Sequence, residues 1–350
     1  MLLVLFSFFI STKYPHLSKV NSYLVFIYIS ATAGLRHGVG VDFLNYQAFI
    51  VKISNGVDTY MEPGFEAITF YSVALGFTPQ FIFLLFSFFT CLFFIISINK
   101  HSIDKGMSLA LFCFLPFFYL ASFNQIRQFF VASLLAFSLN YIIKRKLISF
   151  LLLVFFATTF HKIAVLFIPM YWFAHRLWGI KTYCVLFVLF TVLCKFVDYL
   201  AGFIGLSPVY FVGISESSFD YRTLIFIALF GMSYLGLRRS SFKFINRREQ
   251  YKSQSVVTSI NMAFICILIM LSPIFINNIN SSELLRLSGL YTFCLLILIP
   301  FVIEKFTKKY ALIFSIGGVL LSVSYFFITI FNNGERYKLV PYSGSLLLFN

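Results

Sequence analysis

Charged residues are scarce in this sequence. Asp, Glu, Lys and Arg make up 11% of the 350 residues, whereas hydrophobic residues make up 60%. Soluble domains carry about 25% charged residues, because their surfaces face water. The shortage of charge therefore excludes a soluble globular protein, and the long apolar runs that replace charged residues are typical of helices that cross a lipid bilayer.

Motifs of soluble enzymes and metal proteins are missing as well. The chain has no Walker loop, no GxSxG, no HExxH and no paired-cysteine motif. No stretch of soluble composition is long enough to bind a nucleotide, so an activated donor would reach a site through the membrane. We expect no metal ion and no cofactor.

The cysteines stand singly inside apolar runs. A cysteine at such a position behaves as a small hydrophobic residue, and the spacing indicates neither disulfides nor metal ligands. We expect all six to be core residues: Cys91, Cys113, Cys184, Cys194, Cys266 and Cys294.

Apolar runs recur along the whole chain, and several are short enough to form tilted, broken or re-entrant helices. They lie near residues 2–12, 20–35, 80–98, 107–123, 129–143, 147–160, 163–174, 182–200, 223–237, 255–276, 287–303 and 310–331. The pattern predicts an all-α integral membrane protein, a polytopic bundle of about twelve transmembrane helices forming a single transmembrane domain over 1–350. The first run lacks a basic leader and a small-residue cleavage site, so we interpret it as a span and not as a signal peptide.

Positive charge is concentrated in alternate loops. These loops hold 18 of the 27 Lys and Arg residues and include the basic loop 238–254. The positive-inside rule places such loops in the cytoplasm. The net charge of +15 is thereby explained by membrane topology, and we expect the lipid bilayer and no nucleic acid as a partner.

The opposite, outer loops carry eight of the twelve acidic residues. The longest of these loops is 36–79. Within it, Pro63 favours the start of a helix, and the following stretch is too polar to cross the membrane. We predict a short helix near 64–76 that lies on the outer surface.

Four arginines stand at or near the outer ends of predicted spans: Arg36, Arg127, Arg222 and Arg286. The planar guanidinium group donates paired hydrogen bonds to phosphate and keeps its charge. Gln125, beside Arg127, adds an amide. The alternative is that each arginine pairs with a nearby acid such as Asp220 or Glu283, or extends to lipid headgroups.

Three further groups are candidates for proton transfer. His161 lies where two short apolar runs meet, which predicts a break near the outer membrane face, and it could bind phosphate or act as an acid or base. Asp42 and Glu62 are candidate bases for a sugar hydroxyl. The alternatives are that His161 is an interhelical hydrogen-bonding residue and that Asp42 pairs with Arg36 or caps a turn.

Taken together, these residues resemble a known family. Arg36, Gly40-Val-Asp42 and Tyr46, then Glu62-Pro-Gly-Phe65, Gln125-Ile-Arg-Gln128 and His161, are similar to the pattern of the EpsG family, relatives of the Wzy polymerases of O-antigen and capsule. Arg286 and Tyr342 fit the late part of that pattern. Lys162 departs from it, because relatives often have Ser or Thr there.

The resemblance implies a multi-pass, GT-C-like glycosyltransferase of the bacterial inner membrane, with its site facing the periplasm. Donor and acceptor would both be oligosaccharides linked to undecaprenyl pyrophosphate, with a flippase and a chain-length regulator as possible partners. On this hypothesis Arg127 and Arg286 bind the pyrophosphate, with Arg36, Arg222 and His161 in support. Asp42 or Glu62 would orient or deprotonate the acceptor, and Tyr46 and Tyr342 would stack on sugar rings.

Other functions share part of this pattern. A flippase for the same lipid-linked glycan would show paired halves with broken helices in matching places, which the sequence does not show. An O-antigen ligase or a membrane acyltransferase is a second alternative, although a ligase usually has a larger outer loop. A structural scaffold would not need arginine at so many outer helix ends.

Overall fold

The computed structural model of the chain describes residues 1–57, 59, 61–204, 222–239, 247–275, 286–335 and 338–339. Its α-helices are α1 Leu2–Lys13, α2 Ser18–Gly34, α3 Phe43–Ser54, α4 Pro63–Ala74, α5 Pro79–His101, α6 Lys105–Phe114, α7 Ile126–Ile143, α8 Leu147–Thr158, α9 Met170–Phe173, α10 Ile180–Ile204, α11 Arg222–Arg239, α12 Arg247–Phe275, α13 Leu295–Thr307 and α14 Ala311–Asn333. Short 3₁₀ turns lie at Pro15–Leu17, Ala121–Phe123, Lys162–Phe167, Thr292–Cys294 and Lys308–Tyr310. Within the described ranges no strand forms, as predicted.

Four helical segments are long and apolar enough to cross a membrane by length and composition: Pro79–His101, Ile126–Ile143, Glu249–Phe275 and Ala311–Asn333. The described part of the chain also contains shorter apolar helices, among them α1, α6 and α8. The protein is therefore a membrane protein whose described residues form helices and no strands. The number of about twelve spans stays a prediction.

One predicted span is wrong in its second half. The apolar run 107–123 was expected to form a single helix, but α6 ends at Phe114 and Leu115 is extended, with φ −79° and ψ 117°. Leu115 precedes Pro116, and the proline ring disfavours the helical conformation of the residue before it. Hydropathy alone does not register this local steric effect.

The first compact unit comprises Met1–Ile168 and Thr307–Asn350. In this unit α5 packs against α2 and α7, and α7 packs against α8. The helix α6 contacts α1 and α14, and α3 and α4 pack on each other and on α5. The site described below is assembled from this unit.

The segment between α2 and α5 contains two helices. The helix α4 begins at Pro63, with extended Glu62 (φ −70°, ψ 145°) before it, because proline fits the first turn where no intrahelical N–H bond is needed. This confirms the helix expected near 64–76, whereas its position on the outer surface stays a prediction. The helix α3 was not predicted.

The chain breaks after α8. That helix ends at Thr158, and His161 is extended (φ −158°, ψ 116°) before a 3₁₀ turn begins at Lys162. The break expected at His161 is therefore confirmed. A helix of 12 residues is roughly 18 Å long, which is shorter than the ~30 Å apolar core of a bilayer.

The second unit comprises Pro169–Phe306. Its core contains Tyr183, Tyr234, Phe264 and Leu268. Polar residues of α12 accompany this core and bind the end of α9, a helix of only four residues.

Two amides on α12 satisfy backbone carbonyls at and just after the end of α9. Gln254 Nε2 donates to the carbonyl of His175 at 2.9 Å, and Asn261 Nδ2 donates to those of Phe173 (3.2 Å) and Arg176 (3.0 Å). These two α12 residues are seven apart and so share one helix face. The polar stripe thus provides the hydrogen bonds that a short, broken helix lacks.

The cysteines follow the sequence prediction with one exception. Five are buried and form no disulfide within the described residues, and Cys184, on α10, is exposed. The expectation that all six are core residues is therefore wrong for Cys184, because an apolar run does not reveal which face of its helix packs inward.

Candidate functional site

Three segments that are distant in sequence meet at Glu62. This residue precedes α4, Arg127 lies in the first turn of α7, and His161 follows α8. The Arg127 guanidinium forms an ion pair with Glu62 Oε2, and His161 Nδ1 lies 3.7 Å from Glu62 Oε1. The structure therefore brings together three of the residues that the sequence singled out.

The Glu62 carboxylate is held from both sides. Oε2 faces Arg127, and Oε1 faces His161 and accepts a hydrogen bond from the backbone N–H of Lys162 at 3.4 Å. The side chains are 9% (Glu62), 18% (Arg127) and 25% (His161) exposed. The cluster is thus largely shielded from solvent but accessible on the side of His161 and Arg127.

Aromatic rings support Arg127. Its guanidinium carbon lies 5.9 Å from the ring centroid of Tyr46 and 5.7 Å from that of Phe65, within the range of cation–π attraction. Both rings are buried and contact each other at 5.9 Å. Tyr46 therefore helps to position Arg127, and the predicted stacking of Tyr46 on a sugar would require its ring to move.

Arg36 is placed differently. Its side chain is fully buried between the rings of Phe83 and Phe123, at 5.2 and 4.9 Å. The guanidinium donates to the carbonyls of Ala33 and Phe123, the latter at 3.1 Å, and to Ser87 Oγ at 3.4 Å. These contacts join the end of α2 to α5 and to the segment before α7, which is a structural function.

Asp42 and Gln125 begin the helices that carry Tyr46 and Arg127. Asp42 is partly exposed at the start of α3, and its carbonyl accepts from Tyr46 N at 2.9 Å. Residues four apart lie on one helix face, so Asp42 is on the side of α3 that Tyr46 turns toward Arg127. Among the described residues Asp42 makes no ion pair, so the pairing with Arg36 considered above is not observed. Gln125 precedes α7 and is partly exposed.

The loop before α3 is fixed by a residue that the sequence analysis did not assign. Val41 N donates to Asn124 Oδ1 at 2.7 Å, and Gly40 N donates to the carbonyl of Lys338 at 2.8 Å. Gly40 has φ +100°, a conformation that favours glycine. An asparagine directly before the Gln125–Arg127 segment was the available signal.

The remaining predicted residues do not belong to this cluster of described contacts. Arg222 is the first residue of α11, and Arg286 is an exposed residue; both belong to the second unit. Tyr342 lies outside the described residues, as do the candidate acidic partners Asp220 and Glu283.

The cluster combines three chemical capacities. A guanidinium group binds phosphate oxygens, an imidazole accepts or donates a proton near neutral pH, and a carboxylate beside an imidazole orients its ring. In the described residues no three His, Cys, Asp or Glu side chains are grouped as metal ligands would be.

The comparison with known sequences covers nearly the whole chain. The sequence model of the EpsG family matches residues 19–343. Neither a curated protein nor a solved structure matches significantly. The matched range contains Glu62, Arg127 and His161 and nearly all of the 350 residues, so the chain belongs to the EpsG family.

Proposed function

We propose that this protein polymerises oligosaccharide repeat units carried on undecaprenyl pyrophosphate, for an O-antigen, a capsule or an exopolysaccharide. The EpsG family suggests a polysaccharide polymerase-type function, which is generally glycosyltransferase-like, and the apolar helices make the chain a membrane protein. The observation that supports the proposed chemistry is the meeting of Glu62, Arg127 and His161.

The proposed reaction moves the growing chain from its lipid carrier to a new unit. A hydroxyl at the non-reducing end of the new lipid-linked unit attacks the anomeric carbon of the donor chain. The new glycosidic bond forms as the bond between that carbon and the pyrophosphate oxygen breaks. The pyrophosphate leaves with the electron pair, and the hydroxyl proton passes to a base.

Arg127 is the proposed ligand of the leaving pyrophosphate. Its guanidinium is oriented by Glu62 and two aromatic rings, and its Nε is buried without a hydrogen-bond partner among the described residues. A preorganised cation stabilises negative charge that develops in the transition state. The parts proposed for Arg222, Arg286 and Tyr342 stay predictions.

His161 is the proposed base, with Glu62 as its orienting carboxylate. The 3.7 Å between Nδ1 and Oε1 is longer than a hydrogen bond, as is common before substrate binds. Contraction of this distance would orient the imidazole to take the acceptor's proton. Since Arg127 already occupies the other oxygen of Glu62, the imidazole is better placed than this carboxylate to take the proton. Asp42 is the second candidate for orienting the acceptor.

The proposed setting is the bacterial inner membrane, with the site facing the periplasm. The uneven distribution of Lys and Arg supports this orientation. A flippase would supply the lipid-linked units, and a chain-length regulator is a further proposed partner.

The test uses a deletion strain whose surface polysaccharide is separated on a gel. Wild type, Arg127→Lys and the matched control Arg145→Lys are added back, and each protein is quantified by immunoblot. Arg127→Lys keeps the charge but loses the planar fork, so it should leave a single repeat unit. Arg145 is exposed, and its variant should restore the full ladder.

Three outcomes would contradict the proposal. A normal ladder from Arg127→Lys at wild-type protein level would remove Arg127 from the site. Loss of even the single unit in the deletion strain would place the protein at an earlier step, as a flippase or a transferase that builds the unit. Loss confined to attachment to lipid A core would favour a ligase.

A further inference from the structure

Gly64 and Thr159 form an unusually close backbone contact beside the site. Gly64 N donates to the Thr159 carbonyl at 2.8 Å. A Cβ on Gly64 would lie 2.5 Å from Thr159 Oγ1 and 2.8 Å from the same carbonyl oxygen. The threonine side chain can rotate away, but the carbonyl belongs to the backbone. Only glycine therefore permits this approach without moving one chain.

On each of the two segments the contact residue lies two positions from a residue of the site. Gly64 follows Glu62 by two residues, and Thr159 precedes His161 by two. A second hydrogen bond, from Lys162 N to Glu62 Oε1, ties the same two segments at 3.4 Å. The backbone of one segment is thus attached to the other on both sides of the point where Glu62 faces His161.

We propose that Gly64 is a positioning residue that sets the distance between the Glu62 carboxylate and the His161 imidazole. This inference rests on the proposed function, in which Glu62 orients His161 and His161 takes the proton of the acceptor hydroxyl. An ordinary van der Waals contact begins at 3.4 Å, whereas the Cβ of an alanine would lie 2.8 Å from the Thr159 carbonyl. To reach an ordinary contact the two segments would separate by about 0.6 Å, which is comparable to the ~0.5 Å tolerance of catalytic geometry.

The variant Gly64→Ala measures this effect, with Gly317→Ala as its matched control. Gly317 lies in α14, and a Cβ there would have nothing within 4 Å. Spheroplasts or protoplasts of the host expose the outer face of the cytoplasmic membrane to the medium, so polymer synthesis can be followed at a chosen pH. At equal protein level Gly64→Ala should lower the rate about 10–100-fold, and Gly317→Ala should not change it.

Two further readouts separate positioning from loss of fold. Combining Gly64→Ala with Glu62→Asp should slow the reaction less than the product of the single effects, because both changes displace one carboxylate. The acid side of the pH–rate profile of Gly64→Ala should move to lower pH, because a more distant carboxylate favours the protonated imidazole of His161 less. A purely structural change would lower the protein level and leave the pH–rate profile unchanged. Its effect on the rate would multiply with the effect of Glu62→Asp.

The inference and the proposed function can fail separately. If Glu62→Asp and His161→Gln both give a wild-type ladder, the proposed function of this cluster is wrong. If those variants are impaired while Gly64→Ala extends chains at the wild-type rate, only the positioning role is wrong. Independent, multiplicative effects with an unchanged pH profile would also overturn it.

Discussion

The losses in free energy of unfolding from replacing each partner of the Glu62–Arg127 ion pair alone should not add up in the double variant. Arg127→Met leaves a carboxylate that is 9% exposed and loses its cationic partner. Breaking a fully buried pair costs about 3–5 kcal/mol, and because Arg127 is 18% exposed we expect about 2–3 kcal/mol. Glu62→Gln keeps an acceptor for the guanidinium and should cost about 1–2 kcal/mol.

The double variant should be more stable than the sum of the single effects implies. Without the carboxylate, a methionine in place of Arg127 strands no charge, so the double variant should lose about 2 kcal/mol in free energy of unfolding and show a coupling energy of about 2 kcal/mol. Helix loss during unfolding by SDS in mixed micelles, followed by circular dichroism, measures each value. Lys52→Met, at an exposed cation of α3, is the control and should stay within about 0.5 kcal/mol of wild type.

Two results would refute this reasoning. Additive single effects would show that the two side chains do not stabilise each other. A double variant that recovers both stability and a normal polysaccharide ladder would show that the pair only supports the fold. The expected result is a coupling energy of about 2 kcal/mol with single repeat units on the gel.

Changes at Arg36, at the Tyr183–Asn261 pair and at Gly40 test the packing around the site and in the second unit. Arg36→Ala removes charged donors to buried carbonyls and should cost about 3 kcal/mol or more, seen as a loss of protein from membranes on an immunoblot. Tyr183→Phe removes a 2.6 Å hydrogen bond to Asn261 and should lower the free energy of unfolding by about 1 kcal/mol. Asn261→Leu leaves two carbonyls without their donor and should lower it by about 2–3 kcal/mol. Unfolding in SDS measures both values. Gly40→Ala should lower the free energy of unfolding by about 1–3 kcal/mol, which is more than Gly56→Ala should. Both glycines have positive φ, but of these two only Gly40 would place a Cβ against an amide oxygen, at 2.9 Å. Equal losses for the two variants would contradict this.

Polar groups in an apolar chain were the informative part of the sequence. Burial of such groups in a membrane protein is costly without a purpose, and this cost distinguishes Glu62, Arg127 and His161 from their apolar surroundings in the sequence alone. The proline at 63 and the poor apolar length around His161 also located a helix start and a helix break correctly.

Tertiary packing determines the features that the sequence analysis did not predict. Arg36 follows the end of α2 and Arg127 lies in the first turn of α7. The first lies between Phe83 and Phe123, and the second faces a carboxylate 65 residues away in sequence. The local sequence identifies neither set of partners. The helix α3 escaped prediction because its sequence mixes polar and apolar residues. It packs on α4 and α5.

The amides of α12 have a consequence for how the chain is made. Gln254 stands 79 residues after the His175 carbonyl that it binds. At synthesis rates of about 5–20 residues per second, roughly 4–16 s pass before the later helix exists. During that interval the carbonyls at the end of α9 depend on water or another protein for their hydrogen bonds. A nascent chain that ends before α12 should therefore hold this turn less firmly than the complete protein does.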